Sequence, residues 1–328
     1  MKIKTLSIKN YKSIEEMELQ SPNPFSVFVG PNGAGKSNIF EAVEFAYNVY
    51  ITYSTLDVYS LYGGKSSIAN FNYPDRKISV SIEDHDQYLL NFSSVYYQDT
   101  PVTDIIDYNH PSENKIKAEN QKKFSKSFSR FFLNHAELKK VNITDESRLS
   151  LDASNLEKVL SRVLQNENTR EEIVEWLQIL IPEFKDIQIE TSSLSGDVNY
   201  VIFEKHTNKP FPKHLISDGT TNILALLTAV YQSEEPQFLC IEEPENGLHP
   251  HVIEHLVSLF RTACKEKGHY IWLNSHSQTL VRQLTADEII VVEKKNGATT
   301  AKQFQGENFF GMKMDDAWLT NALGGGLP

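Results

Sequence analysis

The stretch that decides the fold reads GPNGAGKS and occupies residues 30–37. It matches the phosphate-binding pattern G-x-x-x-x-G-K-[ST]. The apolar run Phe25–Val29 before it predicts a buried strand, and the apolar spacing from Ser37 to about Tyr50 predicts a helix after it. Between a strand and a helix, a glycine-rich turn lets backbone N–H groups surround phosphate oxygens at the positive end of the helix. The stretch therefore predicts a nucleotide-binding loop.

Different residues of this loop are expected to contact different parts of the nucleotide complex. Lys36 can reach the outer phosphates, and the Ser37 hydroxyl can ligate Mg²⁺. We expect the remaining contacts from neighbouring positions, namely Asn32, Gly33, Ala34, Gly35 and Asn38. The loop therefore predicts ATP and Mg²⁺ as cofactors.

Two adjacent carboxylates follow a second apolar run. Phe238–Ile241 predicts a buried strand, and Glu242 and Glu243 stand at its C-terminal end, where α/β sheets bind ligands. Because successive side chains of a strand face opposite ways, one carboxylate can turn to the metal while the next faces the attacking water. A solvated acidic turn is the alternative, but an apolar run leading straight into both acids favours a site.

Two shorter motifs lie near this strand in the chain. His276 follows the predicted strand Tyr270–Leu273, and a histidine there can donate a hydrogen bond to a terminal phosphate. Ser217 and Gly219 open a predicted helix, whose N-terminus is a second anion site. Taken alone, a single histidine is more often structural, and Ser217 is an ordinary N-cap residue. The position of His276 after the acidic strand and its helix favours the functional interpretation.

Composition excludes several classes of protein. The chain has 328 residues, of which 40% are hydrophobic and 23% charged, as in ordinary folded proteins. The net charge of −11 argues against a uniformly basic protein that coats nucleic acid, but it allows a local basic patch. No apolar stretch approaches the roughly 18 residues of a membrane span, and the N-terminus lacks the apolar segment of a signal peptide. We therefore expect a cytoplasmic protein without a membrane partner.

The order of predicted strands and helices divides the chain into three segments. Residues 1–95 are expected to form a nucleotide-binding lobe with antiparallel strands, and residues 96–195 a mainly helical insertion that acts as a lid. Residues 196–328 are expected to form a C-terminal α/β lobe. Within the insertion, the polar residues 100–120 predict a loop and residues 121–133 predict a helix. The expected fold class is α/β with a mixed β-sheet.

Taken in order, the motifs resemble the ABC-type ATPase heads of the RecF, SMC and OLD groups. The matching text is GPNGAGKSN, SDGTTN, IEEPENGLHP and NSHS, and the opening KIKTLSIKNYKSIEEMEL is similar to the first strands of the same group. The chain is most similar to stand-alone AAA family ATPases with an OLD-like ATPase domain. This resemblance implies Mg²⁺-dependent hydrolysis of ATP to ADP and phosphate. Because few residues follow position 293, we expect no appended nuclease domain of the OLD kind.

The resemblance also implies roles for single residues. Glu242 would be the acid on the metal side, Glu243 would orient or activate the attacking water, and His276 would be the switch histidine. Glu242 stands where many relatives carry aspartate, and its extra methylene is expected to loosen the metal geometry and slow turnover. No motif identifies the residue of the glutamine loop, for which Gln87 and Gln98 are candidates.

A second set of implied roles concerns a partner subunit. Ser217 and Gly219 would form the signature that contacts the γ-phosphate of ATP bound to a second copy, and Asn246 and Leu248 would lie in the loop between the two sites. The leading hypothesis is therefore a switch that forms a homodimer around ATP, or a higher oligomer. Without an effector domain of its own, the switch would control a separate nuclease or toxin, as in anti-phage defence.

DNA is the alternative partner, in a repair module of RecF type in which ATP gates DNA binding. Residues 121–133 interleave basic and aromatic side chains, which can follow phosphates and stack on bases; these are Lys122, Lys123, Phe124, Lys126, Phe128, Arg130, Phe131 and Phe132. An amphipathic helix with a solvated basic face explains the same pattern. A transporter subunit is disfavoured because the segment between the loop and the acidic strand is too long and irregular.

Overall fold

The computed structural model describes residues 2–52, 55–84, 87–97, 100–106, 124, 127–133, 147–191, 196–309 and 311–324. Its strands are β1 (Thr5–Tyr11), β2 (Ile14–Gln20), β3 (Phe25–Val29), β4 (Ile78–Asp84), β5 (Gln87–Tyr97), β6 (Thr100–Ile106), β7 (Phe128–Phe132), β8 (Phe184–Thr191), β9 (Val198–Glu204), β10 (Phe211–Pro212), β11 (Phe238–Glu242), β12 (Tyr270–Ser275), β13 (Ile289–Lys295) and β14 (Ala298–Gln303). Its helices are α1 (Lys36–Thr52), α2 (Thr55–Leu61), α3 (Lys65–Ile68), α4 (Leu156–Val163), α5 (Glu167–Leu180), α6 (Asp218–Tyr231), α7 (Pro250–Glu266), α8 (Gln278–Arg282) and α9 (Met314–Leu319). Among these residues, no helix is long and apolar enough to cross a lipid bilayer.

The central sheet has the order β14-β13-β3-β12-β11-β7 in the described part of the chain. Its strands run parallel from β13 to β7, and β14 lies antiparallel to β13 at one edge. β3, β11 and β12 are buried along their whole length, as expected of apolar strands covered on both faces. Gly30, Glu243 and His276 each follow the last residue of one of these strands, so the parallel arrangement brings all three to the same edge.

A second, antiparallel sheet has the order β2-β1-β4-β5-β6. One hydrophobic cluster joins this sheet to α1 and to the central sheet. Within the cluster, the Phe45 ring of α1 contacts the rings of Tyr11, Tyr59, Tyr62 and Phe92 with centroid distances of 5.1–5.7 Å. Such ring pairs contribute about 0.5–1.5 kcal/mol each beyond the area they bury. α1, which begins at the phosphate loop, is therefore fixed by packing along its length.

The other face of the central sheet is covered by α4 to α9 and by the small sheet β10-β9-β8. α6 is buried continuously from Asn222 to Tyr231, whereas Ser217 before its first turn is exposed. Burial of this helix explains its apolar sequence, since a helix that is hydrophobic all round belongs in a core. The fold thus leaves the N-terminal end of α6 at the surface.

Two elements differ from the sequence-based predictions. Residues 100–106 pair with β5 as a strand, so the predicted loop is wrong there. Phe128–Phe132 forms β7 beside β11, so the predicted helix over 121–133 is wrong for these residues. Phe128 and Phe131 are buried, and pairing with β11 outweighs the helical spacing of the charges. Residues 107–123 lie outside the described residues.

Other predictions for this part of the chain are left open. Lys122, Lys123, Lys126 and Gln98 lie outside the described residues, whereas Gln87 is the first residue of β5. The division of the chain after residues 95 and 195 stays a prediction. The described part of the middle segment contains β6, β7 and β8 in addition to α4 and α5.

Candidate nucleotide site

The phosphate loop connects β3 to α1, and Lys36 is the first residue of the helix. Its Nζ donates hydrogen bonds to the carbonyl oxygens of Gly30 (2.8 Å) and Pro31 (3.2 Å). Burial lowers the pKa of Lys36, and the carboxylates of Glu243 and Glu242 act in the opposite direction. The ammonium group is thus held within the loop in which the sequence pattern predicts phosphates.

The loop is supported on one side by β14 and by the turn between β1 and β2. A Cβ at Gly35, where φ is 101°, would lie 2.1 Å from Thr299 Oγ1, so a side chain has no room there. The same threonine hydroxyl donates to the Ala34 carbonyl oxygen (2.8 Å) and lies 2.7 Å from Ser13 Oγ. A Cβ at Gly33, by contrast, would meet no atom within 4 Å. The loop is therefore fixed at Gly35 and open at Gly33.

Glu242, the last residue of β11, connects the acidic strand to the phosphate loop. Its side chain is buried at 1% exposure, and its Oε2 accepts hydrogen bonds from Ser37 Oγ (2.5 Å) and Asn274 Nδ2 (2.8 Å). Its Oε1 accepts from Arg130 Nε at 2.8 Å and also from Arg130 Nη2. The third donor of that guanidinium, Nη1, binds Glu44 Oε2 at 2.8 Å. The Glu242 carboxylate is therefore held at both oxygens.

Glu243 occupies a turn directly after the strand, and its φ of 47° is unusual for a residue with a side chain. Its backbone N–H donates to the carbonyl oxygen of Asn274 (3.0 Å), which fixes the turn. Its Oε2 accepts from Asn246 Nδ2 (2.8 Å), and its Oε1 lies 3.5 Å from His276 Nδ1. Rare backbone conformations of this kind concentrate at functional sites. The turn thus places a partly exposed carboxylate beside the predicted switch histidine.

A further carboxylate, Glu245, lies behind this turn. Its Oε1 accepts a hydrogen bond from Ser275 Oγ, and burial raises its pKa. Among the described residues, Glu245 Oε2 has no hydrogen-bond partner. Ser275 immediately precedes His276, so this contact joins the loop after β11 to the end of β12.

The predicted signature lies at the start of α6 and contacts the loop after the acidic strand. Ser217 is the N-cap residue, and its side chain accepts a hydrogen bond from the Thr220 backbone N–H at 3.3 Å. A Cβ at Gly219 would lie 3.0 Å from the carbonyl oxygen of Gly247. Leu248, the next residue of that loop, is partly buried against the core. The signature and the loop that follows Glu243 are therefore packed together within one chain.

The predicted site residues fall into two groups. The first lies at the carboxyl edge of the central sheet and comprises Asn32, Gly33, Ala34, Gly35, Lys36, Ser37, Asn38, Glu242, Glu243 and His276. The second consists of Ser217 and Gly219, and in the described ranges no hydrogen bond or ion pair joins it to residues 30–37. The catalytic and binding roles of both groups remain predictions.

Three polar residues of this edge were not among the predicted site residues. Asn274 could have been found, because the parallel register pairs it with Glu242. Arg130 was assigned to a basic helix, and its place beside Glu242 follows only once β7 is known to be a strand next to β11. Glu44, on α1, carries no motif in the sequence and is identified only by its contact with Arg130.

The donor set at this edge suits a Mg²⁺–nucleotide complex. Ser37 donates its hydroxyl proton to Glu242 and keeps oxygen lone pairs for a cation. Hydroxyl and carboxylate oxygens are the ligands that Mg²⁺ prefers, and Mg²⁺ usually combines one or two protein groups with substrate phosphates. Within the described part of the chain, no cluster of three or more His, Cys, Asp or Glu side chains could hold a metal ion by itself.

A phosphate loop, an acidic strand end and a histidine on adjacent parallel strands are the arrangement expected of an ABC-type ATPase. The chain belongs to the family described as "AAA domain, putative AbiEii toxin, Type IV TA system", whose model matches residues 25–282. This match covers more than three quarters of the chain and every predicted site residue. The predicted resemblance to the ABC-type ATPases of the RecF and SMC group is confirmed, whereas the closer likeness to OLD-like ATPases stays a prediction.

Curated relatives match a short part of the chain. The chromosome partition protein Smc of Methanocaldococcus jannaschii is 44% identical over 43 residues, 13% of this chain and 4% of the relative. The DNA replication and repair protein RecF of Lactococcus lactis is 40% identical over 45 residues, 14% of this chain and 13% of the relative. RecF of Corynebacterium jeikeium is 46% identical over 43 residues, 13% of this chain and 10% of the relative. The matches thus span at most 13% of these relatives.

Solved structures of SMC heads are similar over nearly the whole chain. An SMC head bound to the C-terminal winged-helix domain of ScpA has a TM-score of 0.60 and 14% identity, covering 94% of this chain and 98% of that chain. The Pyrococcus furiosus Smc head with an extended coiled coil, bound to the C-terminal domain of ScpA, has a TM-score of 0.56 and 14% identity, covering 98% of both chains. The Thermotoga maritima SMC head has a TM-score of 0.52 and 14% identity, covering 92% and 99%. The predicted α/β fold class is therefore confirmed as the fold of an SMC head.

Proposed function

We propose that the chain is a cytoplasmic, ATP-driven switch that binds ATP with Mg²⁺, closes into a homodimer around two nucleotides and reopens after hydrolysis. The observation that carries this proposal is the hydrogen bond from Ser37 Oγ to Glu242 Oε2 at 2.5 Å, which joins the phosphate loop to the acidic strand. The adjacent Glu243 Oε1 lies 3.5 Å from His276 Nδ1, which supports a joint role of these two side chains at the terminal phosphate. These contacts support a division of the site into groups that bind the nucleotide and groups that hydrolyse it.

Each residue of the first group has one task in this proposal. Lys36 and the N–H groups of the loop bind the phosphates, and Ser37 and Glu242 hold Mg²⁺. When bound, the ion supplies positive charge to the phosphate oxygens. Glu243 orients the water and accepts its proton, and His276 donates a hydrogen bond to the terminal phosphate. Phosphoryl transfer depends mainly on such positioning and charge stabilisation.

Contacts within one chain support a role for the second group in dimerisation. Asn222 of α6 donates a hydrogen bond to the carbonyl oxygen of Asn246 (3.2 Å), and the Asn246 side chain in turn donates to Glu243 (2.8 Å). We propose that Ser217 and Gly219 contact the ATP held by a second copy. A change at α6 caused by that nucleotide would then be transmitted to Glu243 through these two hydrogen bonds. Hydrolysis would therefore depend on closure of the dimer.

The dimer would act in DNA maintenance or through a separate effector such as a nuclease or toxin. The names of the RecF and Smc relatives support the first setting, and the family description, which mentions a toxin system, supports the second. A RecF-type module in which ATP gates DNA binding is the second candidate. Strongly salt-dependent DNA binding that responds to ATP would favour that candidate. Co-purification of a nuclease or toxin from the native host would favour an effector.

The E243Q variant tests the switch. We expect it to bind ATP with Mg²⁺, to hydrolyse it at least about 100-fold more slowly because the water loses its base, and to accumulate as a dimer in light scattering. E235Q, which changes an exposed glutamate ahead of β11, is the matched control and should behave as wild type. Hydrolysis by E243Q at the wild-type rate would contradict the role of Glu243, and a monomer with ATP bound would contradict the dimer.

A further inference from the structure

The Glu242 carboxylate is satisfied at both oxygens by partners on three different elements. Ser37 of α1 and Asn274 of β12 donate to Oε2, at 2.5 Å and 2.8 Å. Arg130 of β7 donates twice to Oε1, from Nε and Nη2. Because the donors lie on three separate elements, rotation of the Glu242 carboxylate would break at least one of these bonds. Among the described residues, Arg130 alone donates hydrogen bonds to the oxygen that faces away from Ser37.

Strand pairing explains how Arg130 reaches Glu242. Arg130 on β7 pairs in parallel with Cys240 on β11, and Glu242 lies two residues further along the same face. The planar guanidinium then contacts Glu242 with one edge and Glu44 with its remaining nitrogen. The arginine therefore sets the direction of the carboxylate together with Ser37 and Asn274 of the family motifs.

The buried charges of Arg130 and Glu242 are paired with each other. Arg130 and Glu242 are both buried, and a buried ion is tolerated only when it is paired and hydrogen-bonded. Burial alone lowers the pKa of Arg130, but the carboxylates of Glu44 and Glu242 outweigh that effect and raise it. Arg130 is consequently a permanent cation beside the acid that is proposed to hold the metal ion.

We propose that Arg130 is the positioning residue that aims Glu242 at Ser37 and the Mg²⁺–nucleotide complex, and that glutamate at 242 and arginine at 130 form a matched pair. The pair accounts for glutamate at a position where aspartate is expected. An aspartate is shorter by one C–C bond, about 1.5 Å, and cannot bond to both Arg130 and Ser37 from the same backbone position. This inference rests on the proposed binding of Mg²⁺ and ATP.

The test measures how much Mg²⁺ strengthens nucleotide binding. A fluorescent ATP analogue is titrated with Mg²⁺ and, separately, with EDTA, and the ratio of the two Kd values is compared between wild type, E242D and R130K. Loss of an outer partner of a metal ligand typically lowers metal affinity 10- to 100-fold. We therefore expect Mg²⁺ to strengthen nucleotide binding at least about 10-fold less in each variant than in wild type. The Kd measured in EDTA should stay within about twofold of wild type. Lysine keeps the charge but lacks the fork that contacts two carboxylates.

R261K is the matched control for a purely structural effect. Arg261 also donates to one carboxylate from two nitrogens, from Nε to Glu288 Oε1 at 2.7 Å and from Nη2 to Glu288 Oε2 at 2.6 Å. Its helix covers the opposite end of β3 beside Phe25. We expect R261K to lower Tm and leave the Mg²⁺ ratio unchanged.

Three results decide between this inference and its alternatives. If R130K lowers Tm like R261K while the ratio stays within twofold of wild type, Arg130 is only structural and the inference is wrong. If the ratio rises instead, Arg130 competes with the metal, which also overturns it. Wild-type protein that binds no nucleotide, by contrast, would refute the proposed function itself.

Discussion

The phosphate loop allows a quantitative prediction for the G35A variant. Gly35 has φ 101°, and an added Cβ would lie 2.1 Å from Thr299 Oγ1 and 2.9 Å from Ser13 Oγ. Alanine in a left-handed conformation costs about 1–2 kcal/mol. Displacing Thr299 also breaks its hydrogen bond to Ala34, which is worth about 1 kcal/mol. The bound conformation of the loop should therefore lose about 2–3 kcal/mol in the variant.

Most of this loss should appear in nucleotide affinity. The loop is open at Gly33, so the free variant can relax, but it must return to the strained conformation when phosphates bind. At 1.4 kcal/mol for each factor of ten, the expected increase in Kd is about 30- to 140-fold. Isothermal titration with a non-hydrolysable ATP analogue measures it, and thermal unfolding measures any part that remains as lost stability.

Second-site variants separate the clash from the backbone strain. T299A removes both γ atoms of Thr299, so neither the clash nor the hydrogen bond to Ala34 remains to be lost. Relative to T299A, G35A should therefore raise Kd by only about 5- to 30-fold, the cost of the backbone conformation alone, and this smaller loss is the expected recovery. T299V keeps two γ atoms and should recover nothing. Unchanged affinity and unchanged Tm in G35A would refute the reasoning, as would equal recovery by T299A and T299V.

Two further residues give predictions at other points of the fold. Burial lowers the pKa of His269 from 6.5 to about 4, so the unfolded chain binds a proton at this residue more readily than the folded chain does. The contribution of His269 to the free energy of unfolding should therefore be full above about pH 6.5 and fall by about 2 kcal/mol by pH 5. Urea unfolding at both pH values measures this slope, and a slope in H269N equal to that of wild type would contradict it. G219A places a Cβ 3.0 Å from the Gly247 carbonyl oxygen. In the E243Q background it should weaken ATP-dependent dimerisation about 10-fold, as measured by equilibrium sedimentation, while the affinity of the monomer for ATP stays within about twofold. Unchanged dimerisation would contradict the proposal that Ser217 and Gly219 lie in the dimer interface.

The parts of the fold that sequence could predict are those in which one local pattern dictates one structure. Phe25–Val29 and Phe238–Ile241 are apolar runs that only a strand covered on both faces can bury, and both are central strands. The glycines of residues 30–37, between a strand and a helix, favour a phosphate-binding turn over a chance glycine turn. Since parallel strands end at one edge, the approach of Glu242 and His276 to the loop also follows from the predicted order of elements.

The parts that could not be predicted depend on pairing between distant segments. β7 is five residues long, and its phenylalanines and arginine fit a helix and a strand equally well in isolation. What decides is the free edge of β11, about 110 residues later in the chain, which no local pattern in residues 121–133 reveals. The contact of Gly219 with Gly247 is likewise a tertiary property, since neither sequence position indicates the other.

The misassigned strand and the unexpected glutamate have one physical cause. Placing Arg130 on an exposed helix made it a candidate DNA contact and left Glu242 as an acid with one methylene too many. In the sheet, Arg130 is buried and donates hydrogen bonds to Glu242 and Glu44. It therefore does not belong to the exposed basic patch on which the DNA-binding alternative rests. The same contact removes the reason to expect loose metal geometry, because the longer side chain is the one that spans the distance between Arg130 and Ser37. The nucleotide-switch proposal therefore gains support from the same correction that weakens its rival.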